Sequence, residues 1–368
     1  MSKYIAVTSD RHGDAQGLSR DIAKLPIGTT TYYAGDMYGP SDRSYTYGIG
    51  NKAGAMDDRA GNFGAYLSGL YNEGQMQSAE HKKWVEETHR TTGQTIDVLV
   101  ENSAKNPVGG LIFGNGEVYH SKIWESYATT LESPSEQFRQ GNLPLVEKPE
   151  VHFYAGGHKV EGMQNVDTAV VLLPYVLNEN LASDISRITG KPVSQDEVRQ
   201  AIYEIIRDDG IADKIRAANP KYVIQIQHEN PSIDNIMPYV KKADPPENEA
   251  IYRAAVKEIS NAISRKGSRT SKYIIVYGHI GDHGRISQKV SFDGNEVDTL
   301  HMDEGGEFVL IDTETGKIYD QEEIPESDNY ALVGEISEHP ENADHSHDEH
   351  SLEAIVGGEG ESSSEGNE

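Results

Sequence analysis

The chain has 368 residues, enough for one large domain or two small ones, and its 60 acidic against 33 basic side chains give a formal net charge of -27. A field of that sign repels phosphate backbones and argues against duplex nucleic acid as a partner. With no cysteine, disulfides and thiolate-held zinc are excluded, so any metal must be held by His, Asp, Glu or Asn. No run approaches the apolar length of a membrane span, and the N-terminus enters a strand pattern without a signal peptide's basic and apolar regions. A cytoplasmic location is expected.

The first element is a short β-rich apolar run, Tyr4 to Val7, ending in Ser9-Asp10-Arg11-His12-Gly13-Asp14. In open α/β sheets ligands sit beyond the carboxyl ends of the strands, so a site is expected to start here. Asp10 and His12 are two apart, and in an extended chain their side chains share a side. Asp14 to Lys24 reads as a helix, stopped by Pro26 and Gly28. Thr29 to Ala34 is a second strand, running into Gly35-Asp36. Two strands joined by a helix, each ending in a carboxylate, predict a βαβ unit with its ligands on one edge.

Residues 40–95, rich in Gly, Tyr, Asp and Ser and then helical from about Ala60 to Arg90, read as an inserted cap. Ile96 to Val100 and Gly110 to Phe113 are the next strand candidates, the latter ending in Gly114-Asn115-Gly116-Glu117. Val151 to Ala155 leads to Gly156-Gly157-His158, and Thr168 to Pro174 is a strongly buried strand. Ser194 to Ala218 predicts one or two amphipathic helices opened by a Ser194/Glu197 capping box. Tyr222 to Ile226 ends near His228; after a helix over 247–265, Tyr273 to Tyr277 ends in Gly278-His279-Ile280-Gly281-Asp282-His283-Gly284-Arg285. Four short alternating segments between Val290 and Tyr319 are expected to be antiparallel strands closing a sheet. Residues 337–368 hold ten acids and no Lys or Arg, and with their Ser, Gly and His content they read as a disordered tail behind a domain of residues 1–336.

Strand after strand therefore ends in an oxygen or imidazole donor: Asp10 and His12, Asp36, Asn115, His228, His279. That set suits hard-to-borderline divalent ions such as Mn, Fe, Zn or Co.

In this order the residues resemble the calcineurin-like metallophosphoesterase superfamily, whose blocks read here as Asp10-Arg11-His12, Gly35-Asp36, Gly114-Asn115-Gly116-Glu117, His228 and Gly278-His279-Ile280-Gly281. The resemblance implies a divergent member with a four-layer α/β/β/α sandwich holding two metals. It implies that Asp36 bridges the ions, that Asp10 and His12 hold one, and that Asn115, His228 and His279 hold the other. The implied activity is hydrolysis of a phosphomonoester or phosphodiester by a metal-bridging hydroxide, with a small phosphorylated compound or a phosphoprotein as substrate. Arg11, Arg43 and Arg285 are candidate phosphate contacts by charge and proximity.

The chain departs from the pattern at three points. Gly116 replaces the His that usually follows Asn, and His158 is the rival for that block, supplying the His, a candidate acid, while losing the Asn. Gly281 stands where the second His of Gly-His-x-His belongs, and His283, two residues later, is the candidate replacement ligand. The gap between Asp36 and Asn115 is longer than usual, as an inserted cap would make it. Gly116 and Gly281 also support a different class of function, a degenerate phosphoesterase fold kept for binding or scaffolding.

Overall fold

The computed structural model describes residues 2–37, 79–114, 130–146, 148–173, 210–228, 256–278, 286–292, 295–302 and 307–320, all within the unit Met1–Tyr330. Two mixed sheets run through them. The first has the order β13-β12-β1-β2-β3-β4, built from β1 (Tyr4–Thr8), β2 (Thr30–Ala34), β3 (Val108–Ile112), β4 (Leu145–Val146), β12 (Val309–Asp312) and β13 (Ile318–Asp320). The second has the order β10-β11-β9-β8-β7-β5-β6. It contains β5 (Glu150–Ala155), β6 (His158–Val160), β7 (Thr168–Leu173), β8 (Tyr222–Gln227), β9 (Lys272–Tyr277), β10 (Ile286–Phe292) and β11 (Asn295–His301).

Alternating side chains of each strand face different cores, and this builds the layers. Ile5 and Val7 of β1 meet Val170, Leu172, Ile224, Ile226, Ile274 and Val276 in a core between the two sheets. Tyr4 and Ala6 face the other way, against Leu18 and Ile22 of α1 (Ala15–Ala23), Ile96 and Leu99 of α2 (Ala79–Ser103) and Phe138 of α3 (Pro134–Gln140). On the far side of the second sheet, Val171, Val223 and Ile275 pack on α4 (Ile211–Ala218) and on the helix over 256–263. Three apolar cores between four layers make an α/β/β/α sandwich. Each fully buried Ile, Leu or Val contributes about 1.5–3 kcal/mol of transfer free energy to it. Among the described residues no helix is long and apolar enough to cross a membrane.

Several elements differ from the sequence expectation. Ile96 to Val100 is not a strand but the last part of α2, a 25-residue helix. Its buried positions are Val85, Thr88, Thr91, Thr92, Thr95, Ile96 and Leu99, a helical spacing. Residues 85–95 of the expected cap thus belong to the helical layer of the sandwich; 40–78 lie outside the described residues. The late strands are divided between the sheets, with β12 antiparallel to β1 and β11 parallel to β9. The expected tail, 337–368, also lies outside the described residues.

Candidate metal centre

The parallel strands β1 and β2 keep bonding to each other after they end. Asp10 N–H donates to Gly35 O at 3.0 Å, His12 N–H to Asp36 O at 2.9 Å and Gly13 N–H to Met37 O at 3.0 Å. The two loops are therefore fixed side by side like extensions of the sheet. The turn they make requires left-handed backbone at Asp10 (φ 54°), His12 (φ 45°) and Asp36 (φ 50°). That region costs an ordinary L-residue about 1–2 kcal/mol, and Asp, Asn and His tolerate it best. The same residue types that carry the chemistry are thus the ones this backbone admits. Asp14 closes the first loop by capping α1, accepting from Gly17 N–H at 2.9 Å.

Asp10 and Asp36 meet His228, which follows β8 in the second sheet. All three are buried, and one donor atom of each lies within 4.8 Å of the others. The imidazole is oriented by Ala34: His228 Nδ1 stands 2.8 Å from that backbone carbonyl oxygen. A carbonyl only accepts, so Nδ1 carries a hydrogen, and in the neutral ring that leaves the lone pair on Nε2, 3.5 Å from Asp36 Oδ1. Two buried carboxylates beside an acceptor nitrogen form a donor set of the kind divalent metals take, and a cation there offsets the cost of burying both charges.

Two glycines bring further chain up to this cluster. A side chain at Gly114 would lie 2.6 Å from Asp36 N and 2.9 Å from His228 Cε1, and would overlap the Asp36 carboxylate. One at Gly278 would overlap Ser9 Oγ and Asp10 Oδ2. Gly278 N–H also donates to His228 O at 3.0 Å. The chain thus reaches the cluster at residues 114 and 278. The next residues in each case, Asn115 and His279, lie outside the described residues, as do Arg43, His283 and Arg285.

The structure places three other candidates differently. His12 lies half-buried in the same loop, outside the three-residue cluster. Arg11, expected to contact phosphate, instead turns away from Asp10 into the helical layer. Its side chain is 1% exposed, Nη1 pairs with Asp21 Oδ2 of α1 at 2.6 Å, and Nε donates to Thr8 Oγ1 at 3.0 Å. The guanidinium also lies 5.5 Å from the Phe308 ring centroid.

His158, expected as a catalytic acid, is exposed on the edge strand β6 at the other end of the sandwich. The Gly156-Gly157 turn before it backs onto Lys3, where a Cβ on Gly157 would lie 3.0 Å from Lys3 Cα. From Lys3 to Asp10 an extended chain covers roughly 20 Å. Sequence reasoning passed over Ser9 and the Ala34 carbonyl, which bond to the cluster; a backbone acceptor leaves no trace in residue identity.

The chain matches no protein-family model and no curated protein. Among solved structures it is similar to TT1561 of Thermus thermophilus, with a TM-score of 0.41 and 11% identity over 87% of this chain and 98% of that one. A second solved structure has the same TM-score at 12% identity, with the same coverage of both chains.

Proposed function

We propose that this protein is a dinuclear metal-dependent phosphoesterase, a divergent calcineurin-like metallophosphoesterase, acting on a phosphomonoester or phosphodiester. The observation that carries the reading is the meeting of Asp10, Asp36 and His228 from both sheets, with the His228 tautomer set by Ala34 so that Nε2 is the acceptor. When bound, divalent ions supply Lewis acidity toward phosphate oxygens and a water acidic enough to give hydroxide near neutral pH.

The chain's own residues prepare that chemistry. Asp10 and Asp36 provide carboxylate oxygens on adjacent rails of one sheet, and His228 provides a neutral nitrogen from the other. The Ala34 carbonyl keeps the ring from rotating. The small residues at 114 and 278 let backbone approach without filling the space. Asn115, His279 and His283 complete the proposed ligand set, with His12, outside the three-residue cluster, as the candidate for a second ion beside Asp10, and Arg285 remains the candidate phosphate contact.

The competing reading, a fold kept for binding, rests on Gly116 and Gly281 in the sequence. Metal content per chain after gentle purification, with hydrolysis of aryl phosphate monoesters and diesters in Mn, separates the two. Two ions per chain and turnover abolished by Asp36→Asn is the expected result. One ion or none, with no turnover under any metal, overturns the enzyme reading in favour of binding.

A further inference from the structure

The residue before the first ligand bears on which ion the site accepts. Ser9 is fully buried, and its hydroxyl donates to Asp10 Oδ2 in a short contact while lying 3.1 Å from the Ala34 carbonyl oxygen. A hydroxyl has one hydrogen to give, and a carboxylate holds it more strongly than a carbonyl does. The Ala34 oxygen is meanwhile engaged by His228 Nδ1–H at 2.8 Å. Gly278 closes over the same atoms, since a Cβ there would overlap both Ser9 Oγ and Asp10 Oδ2. Asp10 Oδ2 is thus engaged by a donor, with the Gly278 backbone close by.

We infer that Ser9 is a selectivity-determining residue of the metal centre: by holding Asp10 Oδ2 it restricts Asp10 to coordination through its other oxygen. Calcium takes six to eight oxygens at long distances and commonly uses both oxygens of a carboxylate, whereas smaller transition ions accept one-oxygen carboxylates together with imidazole. A Ser9 donor therefore tilts the site toward ions of the Mn, Fe, Co or Zn kind and away from calcium. This rests on the metal reading above and adds a reason for the choice of ion.

The test is equilibrium binding of Mn and of Ca, each alone, to the chelator-stripped full chain by calorimetry, for wild type, Ser9→Ala and Ser9→Thr. Melting in chelator establishes that each variant is folded. Loss of a hydrogen-bond donor to a metal ligand typically changes metal affinity by about 10–100-fold. In Ser9→Ala the preference for Mn over Ca should fall by about that factor, and Ser9→Thr, which keeps the hydroxyl, should restore it. Wild type that binds Mn, with an unchanged Mn/Ca ratio in folded Ser9→Ala, overturns the role of Ser9 alone. Wild type that binds neither ion overturns this inference together with the metal reading.

Discussion

Replacing Asp36 by Asn separates a metal ligand from an ordinary buried polar residue, because the two predict opposite changes in stability. Asn adopts the left-handed backbone that Asp36 occupies (φ 50°), so the substitution changes charge with little backbone strain. The donor oxygens of Asp10 and Asp36 lie within 4.8 Å of each other. At an effective dielectric of about 20, two such charges repel by roughly 3 kcal/mol.

Unfolding entropy is about 2.1 cal/mol/K per residue, so over roughly 330 residues each kcal/mol moves Tm by about 1.4 °C. In chelator, Asp36→Asn should therefore melt about 4 °C above wild type. An ion at 100 times its Kd stabilises the folded state by about 2.7 kcal/mol, which is again about 4 °C, and only the wild type should gain it. Calorimetric or fluorescence melts of both proteins, with EDTA and with Mn, read all four values. A variant that melts below wild type in EDTA, or an equal Mn shift in both proteins, would refute the reasoning.

Gly114→Ala places a Cβ 2.6 Å from Asp36 N, a backbone atom that cannot swing aside. It should cost about 1–3 kcal/mol and weaken ion binding, measured by melting and metal titration. Arg11→Met breaks a buried pair but leaves Asp21 with Lys24 Nζ at 3.6 Å. A loss of about 3 kcal/mol in denaturant titration is expected, with inhibition by inorganic phosphate unchanged because the guanidinium faces the helices. At the far end of the sheets, burial pushes the Asp167 carboxyl up, but the Gly156 N–H, Lys221 and Arg269 together hold it below its ordinary value of 3.8. A lowered folded-state pKa means the stabilisation is full above about 3.8 and disappears as pH falls through the depressed value. Asp167→Asn should flatten that part of the acid limb by less than about 1 kcal/mol, read from urea midpoints at pH 5 and pH 3.

The strands that carry the site were legible because each is a short run rich in apolar, β-branched or aromatic residues that ends in a polar turn. β1, β2, β3, β8 and β9 lie where those runs are, and Asp10, Asp36 and His228 fall at their ends. The helix α2 was not legible over 96–100, where Ile-Asp-Val-Leu-Val, four apolar residues around Asp97, fits strand and helix alike. Its buried face is largely threonine, a β-branched polar residue that imitates a strand or loop. The hydroxyls turn back on the helix instead, with Thr92 donating to Thr88 O at 2.7 Å and Thr95 to Thr91 O at 3.0 Å.

His158 misled because Gly-Gly-His is also what a tight hairpin looks like. Gly156 (φ 54°) and Gly157 (φ 80°) supply the two left-handed positions of the β5–β6 turn. Arg11 misled because a positive charge beside Asp10 suggests a phosphate contact until its direction is known.

The left-handed backbone at Asp10 and Asp36 also constrains how this site changes over generations. Aspartate codons become asparagine or glycine codons by one base change, and those are the residues that the conformation tolerates best. Asparagine leaves a weaker neutral oxygen donor and glycine none, and either replacement removes the repulsion between the two carboxylates, so weaker ion binding comes without added backbone strain. In this architecture a metal centre can lose its ion by single steps that leave the backbone around it unstrained.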